Sequence, residues 1–255
     1  MIRLTKYIVT FALAVFMSNP ALAAINSSDD FEGYPLGPDA NPIGNWQVFA
    51  AVYEGFPTCD PWVYQYGTFP APNSSSAFSN ITLGNSGQAL NVFSDYNNGD
   101  HGIGRCIETS IFKEVASFNA ADAGTYDFSF DTQVPATPLG AGVRVFGFVK
   151  LLDPLNGFQA DIFKTVETVS GGSKKITVTL DNTADGKVLQ WGFSTVASNY
   201  LPSGRFYDNV TFAISTAPPT MTRVEGVPIP AWALLLMAGL LTYLGLTRLR
   251  ASRQT

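Results

Sequence analysis

The stretch that most limits the fold is "TYDFSFDTQV", Thr125 to Val134, in which Tyr126, Phe128 and Phe130 alternate with Asp127, Ser129 and Asp131. Successive side chains of a strand point to opposite faces, so a strict period of two describes a β-strand with one buried and one wet face. "KKITVTLDN" repeats the pattern, with Ile176, Val178 and Leu180 against Lys175, Thr177 and Thr179. Further β-branched and aromatic runs read as strands: "NWQVFAAVY", "WVYQY", "QALNVFSDY", "CIETSIFKEV", "GVRVFGFVKLL", "GFQADIFKTV", "VLQWGFSTV" and "GRFYDNVTFAI". Clusters such as Asn97-Asn98-Gly99-Asp100, Pro154-Leu155-Asn156-Gly157 and Ser170-Gly171-Gly172-Ser173 form the turns between them. Sustained helical periodicity and internal repeats are absent from this region. About nine or ten strands without a helix predict two sheets packed face to face, an all-β sandwich of the jelly-roll type.

The two ends obey different rules. Arg3 and Lys6 precede an apolar run from Tyr7 to Met17, and Asn19-Pro20-Ala21-Leu22-Ala23 supplies a helix breaker and then small residues. That is the form of a secretory signal peptide, residues 1–23, cut after Ala23; an uncleaved anchor is the alternative. Val227 to Thr247 carries no charged side chain, and about 21 residues rising about 1.5 Å each span about 31 Å, the hydrocarbon thickness of a bilayer. Trp232 stands at the entrance and Arg248, Arg250 and Arg253 follow the exit. The positive-inside rule then leaves the tail cytoplasmic and the body exported, in a single pass. A buried core helix would show a polar face, and this segment has none. The partition is therefore signal peptide 1–23, exported sandwich 24–215, linker 216–226 and C-terminal segment 227–255. The last comprises a proline motif at 227–232, a transmembrane helix at 231–247 and a basic tail at 248–255.

Val227-Pro228-Ile229-Pro230-Ala231-Trp232, followed by Ala233-Leu234-Leu235-Leu236 and Arg248-Leu249-Arg250, resembles the bacterial PEP-CTERM family of sorting segments. The tryptophan that opens the span is similar to the related IPTL-CTERM variant. Ile229 stands where the commonest family form has a glutamate between the prolines. The resemblance implies an exosortase-type membrane enzyme that cleaves at the motif and passes the protein to the cell surface or extracellular matrix. It is silent on what the exported domain does.

Between Ala24 and Thr220 about 19 acidic face about 9 basic side chains, a net charge of about −10, which repels phosphate backbones and excludes nucleic acid as a partner. Cys59 and Cys106 are the only cysteines, and an even count in an exported chain predicts a bridge between them. Closing a loop of about 47 residues stabilises the fold by about 4 kcal/mol in the chain-entropy picture.

Asp29-Asp30-Phe31-Glu32-Gly33-Tyr34 near the start and Arg205-Phe206-Tyr207-Asp208-Asn209-Val210 in the last strand resemble the ends of galactose-binding-like jelly rolls, the fold of many carbohydrate-binding modules. Lys174 to Thr179 and Gln190-Trp191-Gly192-Phe193 are similar to strands between them. That resemblance implies a structural calcium ion where first and last strands meet, with Glu32 and Asp208 as ligands and Asp30 nearby. Hard carboxylate oxygens suit it; no other cofactor is expected.

Chemistry beyond binding is sparse. The single histidine, His101, lies in "DYNNGDHGIGRC", a loop without the strand-turn-helix context of a nucleophile. Zinc spacings and phosphate-cradling loops are missing as well. A glycoside hydrolase built on two carboxylates is the main enzymatic alternative to a non-catalytic reading. "CDPWVYQYGTF" puts Trp62, Tyr64 and Tyr66 at alternate positions, predicting one face of rings on which sugars stack, with Tyr96 and its neighbouring amides adding polar contacts. The same alternation also serves core packing. The expected protein is secreted, anchored at the envelope or released into matrix, and non-enzymatic, binding extracellular polysaccharide; a ligand-free structural matrix component is the alternative.

Overall fold

The computed structural model describes residues 24–37, 43–72 and 78–216. The signal peptide, the linker beyond Thr216, the sorting motif, the apolar span and the basic tail lie outside those residues. Among the described residues no helix is long and apolar enough to cross a membrane.

Alternation builds twelve strands: β1 (Ser27–Asp29), β2 (Gln47–Tyr53), β3 (Trp62–Pro70), β4 (Ser79–Leu83), β5 (Gln88–Val92), β6 (Cys106–Val115), β7 (Gly124–Gln133), β8 (Arg144–Asp153), β9 (Gln159–Glu167), β10 (Gly172–Leu180), β11 (Val188–Ala197) and β12 (Arg205–Ile214). They pair antiparallel into two sheets. One runs β10-β7-β12-β5-β4, with β1 added to the far end of β12; the other runs β3-β2-β6-β11-β8-β9. Ten strands coincide with runs read from the sequence. The two unforeseen ones are β1, which is only three residues long, and β4, whose "SNITL" carries too little apolar signal. The expected jelly-roll β-sandwich is the observed fold.

Inward-facing rings seal the space between the sheets. Phe193 of β11 stacks on Tyr207 of β12 at 3.7 Å between centroids. Phe130 of β7 meets Phe193 edge-on at 5.0 Å, and Trp191 stacks on Phe212 at 4.4 Å. These rings need room, and Gly147 of β8 supplies it: a Cβ there would lie 2.4 Å from Phe130 Cζ. Phe130 is itself buried, so the ring has nowhere to retreat.

The bridge between Cys59 and Cys106 forms, with Cα atoms 5.4 Å apart. It ties the loop after β2 to the first residue of β6. On the outer side of the second sheet, Phe56 and Cys59 from that loop pack with Cys106, Phe112, Phe146, Phe148 and Val196 as a second apolar cluster. This loop therefore covers one strand-end of the outer face.

Overpacking a filled core costs about 1–3 kcal/mol. We expect Gly147→Ala to lose stability in that range by urea denaturation; a change below about 0.5 kcal/mol would show that the core is looser than this packing implies.

Candidate cleft on the outer face of the second sheet

Because the inner face is fixed by the core, the outer residues of the second sheet follow from register. Val48 and Ala50 of β2 face inward, so Phe49 faces outward; it stands opposite Ser110 of β6. One step along, Phe112 lies opposite Gly192 of β11, and Gly192 opposite Phe148 of β8. A Cβ on Gly192 would approach the Ile111 carbonyl oxygen to 2.1 Å, so the position between these two buried phenylalanines admits only glycine. The next row runs Glu114, Gln190, Lys150 and Phe163 across β6, β11, β8 and β9.

Phe49, Ser110, Phe112, Gln190 and Lys150 of these rows, with Gln65 and Phe158, line a cleft of about 480 Å³. Rings supply apolar surface, and amides and a hydroxyl supply polar contacts, the composition of a small-molecule or oligomer site. Phe158 comes from the β8–β9 turn, where Asp153 Oδ1 accepts from the Leu155 N–H and Gly157 adopts left-handed geometry. Phe158 follows at φ +60° and is 60% exposed. A bulky side chain in that region carries about 1–2 kcal/mol of strain, here spent on holding a ring in solvent beside the cleft. Phe163, 53% exposed, stands nearby on β9.

Lys150 is the cleft's cation. Its Nζ lies 4.4 Å from the Phe148 centroid and 5.1 Å from that of Phe163. Burial lowers its pKa from the ordinary lysine value, partly offset by the field of Glu108. Glu108 accepts a 2.9 Å hydrogen bond from the Ser194 hydroxyl, and Glu114 accepts one of 2.7 Å from Gln190 Nε2.

The aromatic run at residues 62–66 does not share one face. Tyr53 pairs with Trp62 and Val52 with Tyr64, so the register shifts at Val63. A bulge of this kind flips the side-chain sequence. Trp62 joins Tyr53 on the outer face, at the sheet edge, whereas Tyr64 and Tyr66 turn with Val52 and Ala50. The Tyr64 hydroxyl donates to Asp100 Oδ2 at 2.8 Å and that of Tyr66 to Asp95 Oδ2 at 2.7 Å, and Asn98 Nδ2 donates to both. Burial raises the pKa of Tyr66 first, and the adjoining Asp95 adds to it. Tyr96 lies apart, stacked on Phe93 at 5.4 Å and bonded to Ser203. It lines a separate cavity of about 470 Å³ with Tyr200 and Phe206.

His101 is fully buried, its Nε2 3.1 Å from Ser94 Oγ. Ser94 donates its hydroxyl to the Ile107 carbonyl at 2.9 Å and is equally buried, so the pair offers no accessible nucleophile. Burial lowers the imidazole pKa from 6.5 to about 4.

Asp208 is buried opposite Asp131 on the β12–β7 ladder, where a bulge begins. Burial raises its pKa, and Glu32, Asp131 and Asp30 raise it further, against the Asn209 N–H that lowers it. Among the described residues none of these four carboxylates has an ion-pair partner. The sequence-predicted calcium ligands Glu32, Asp30 and Asp208 thus share one patch of negative field. They do not converge as a ready cradle: among the described residues no three His, Cys, Asp or Glu side chains do.

No protein-family model matches the chain, and no curated protein does. Among solved structures it is similar to a carbohydrate-binding module described under "CBM4 structure and function", at 17% identity over 56% of this chain and 81% of the other, TM-score 0.32. The C-terminal family 22 module of Clostridium thermocellum Xyn10B gives 13% identity over 75% and 94%, TM-score 0.38. A CBM22-1 xylan-binding domain from Paenibacillus barcinonensis Xyn10C gives 11% over 55% and 82%, TM-score 0.34. At such identity and overlap the likeness transfers no ligand and no site.

The unfolded chain takes up a proton at His101 before the folded one, so stability is whole above about pH 6.5 and declines as pH falls toward 4. We expect up to about 3 kcal/mol to be lost across that window and a flatter acid limb in His101→Gln. Equal steepness in the two proteins would remove His101 from the acid response.

Proposed function

We propose that the exported sandwich binds extracellular glycan in the cleft of its second sheet and does not cleave it. One observation carries this reading: a recessed, aromatic-walled groove beside which Phe158 is held exposed in a strained backbone conformation. Flat rings stack on the apolar faces of sugars, and the amides Gln65 and Gln190 with the hydroxyl of Ser110 match sugar hydroxyls as donors and acceptors.

Hydrolysis has less support. The outward carboxylates of β6, Glu108 and Glu114, are separated by six positions on one strand, about 20 Å at about 3.3 Å per residue. Glycosidases hold their pair about 5–9.5 Å apart. The signal peptide and the C-terminal segment complete the proposal: export, a transient or lasting single membrane pass, processing by an exosortase-type enzyme, and delivery to the envelope surface or matrix.

Calcium belongs to the same proposal. Glu32, Asp30 and Asp208 would have to draw together to hold it, and the ion would offset the burial and the neighbouring carboxylates that raise Asp208. A bound ion at about 100-fold its Kd stabilises by about 2.7 kcal/mol. Added calcium should therefore raise the Tm, EDTA should reverse the shift, and Asp208→Asn should abolish it; a Tm indifferent to both additions removes calcium.

The cleft is tested by affinity electrophoresis of the full chain against soluble glucans, xylans and galactans. Retention is expected on at least one. Phe158→Gly removes the ring and relieves the strain, so binding should fall about tenfold, equivalent to about 1.4 kcal/mol, while the Tm holds or rises. Retention on none, or unchanged retention in the variant, would refute the cleft.

A further inference from the structure

The cleft has a charge that its own walls do not balance. Lys150 presents the one ammonium among its described lining residues, and no carboxylate lines it. Two outward acids of β6 stand outside the lining: Glu108, whose field reaches Lys150 and which accepts from the Ser194 hydroxyl, and Glu114, which accepts from the Gln190 amide. Among the described residues Lys150 takes part in no ion pair, and the faces of Phe148 and Phe163 are its close neighbours.

An ammonium has three N–H donors and no acceptor capacity. While the cleft is wet, water satisfies them. A ligand that fills the cleft expels that water, and any donor then left unmatched carries the full penalty of a desolvated polar group. A sugar hydroxyl can accept one of these bonds and leaves the charge in place. A carboxylate accepts the bond, neutralises the charge and makes the stronger, charge-assisted contact. Phe148 and Phe163 fix where this happens: they hold the ammonium between β8 and β9, in the row that also contains Gln190.

Resting on the glycan-binding reading above, we propose that the cleft selects acidic polysaccharide, with Lys150 contacting a uronate carboxylate while the rings stack on the sugar that bears it. The acidic remainder of the domain repels the rest of a polyanion, so the attraction is confined to the sugar seated on Lys150, where no carboxylate lines the cleft.

Matched probes isolate the charge. A β-1,4-linked glucuronate hexamer and cellohexaose differ only in the oxidation state of C6, and both are titrated into the full chain calorimetrically. The uronate is expected to bind about tenfold tighter at about 0.15 M salt, where the distant acids of the domain are screened and a pair within the cleft is screened much less. Lys150→Met should bring the ratio of the two affinities to about one, whatever it does to each; Lys150→Gln, which keeps a polar tip, checks the result should the methionine variant fold poorly. Equal affinity for both hexamers, or a preference that survives in both variants, overturns the acidic-ligand proposal and leaves glycan binding standing. Binding of neither overturns both.

Discussion

The stacking of Phe193 on Tyr207, one ring from each sheet, is the contact from which the remaining geometry follows. Once those rings are committed to the interior, a period of two leaves no freedom in the strands that carry them. Gln190, Gly192 and Ser194 must face out because Leu189, Trp191 and Phe193 face in. The same rule propagates through hydrogen-bonded register to Ser110 and Phe112 on one side and Phe148 and Lys150 on the other. The face that carries the cleft is thus a by-product of the core, placed by packing it does not itself supply.

How much of this was legible in the sequence differs by element. Alternation with polar partners made β7 and β10 plain, and the β6 and β11 runs matched their strands almost to the residue. The bridge between Cys59 and Cys106 was equally readable, since two cysteines allow one pairing. The cleft was not readable. "GVRVFGFVKLL" is apolar on both faces, Phe148 covering the outside while Val149 fills the core, so its outward rings carry no pattern that separates them from buried ones. The exposure of Phe158 depends on a left-handed backbone that residue identity does not announce. Conversely, Trp62, Tyr64 and Tyr66 looked like a platform because alternation assumes an unbroken strand. Val63, an ordinary β-former, gives no sign of the bulge that separates the tryptophan from the tyrosines.

The described domain holds two unlike charged regions. Asp30, Glu32, Asp131 and Asp208 gather where β1, β7 and β12 meet, and burial, then mutual repulsion, raises the pKa of Asp208, whereas Glu108 and Glu114 on the second sheet's outer face accept from Ser194 and Gln190. The two regions make different demands on solvent ions: the first is relieved by a cation, the second by an anion.

Phe158 reaches the cleft from the turn between β8 and β9, a connection outside the strands. Loops tolerate insertion and exchange better than the elements they join. That side of the rim is therefore free to change in length and residue while the sandwich beneath it keeps its shape.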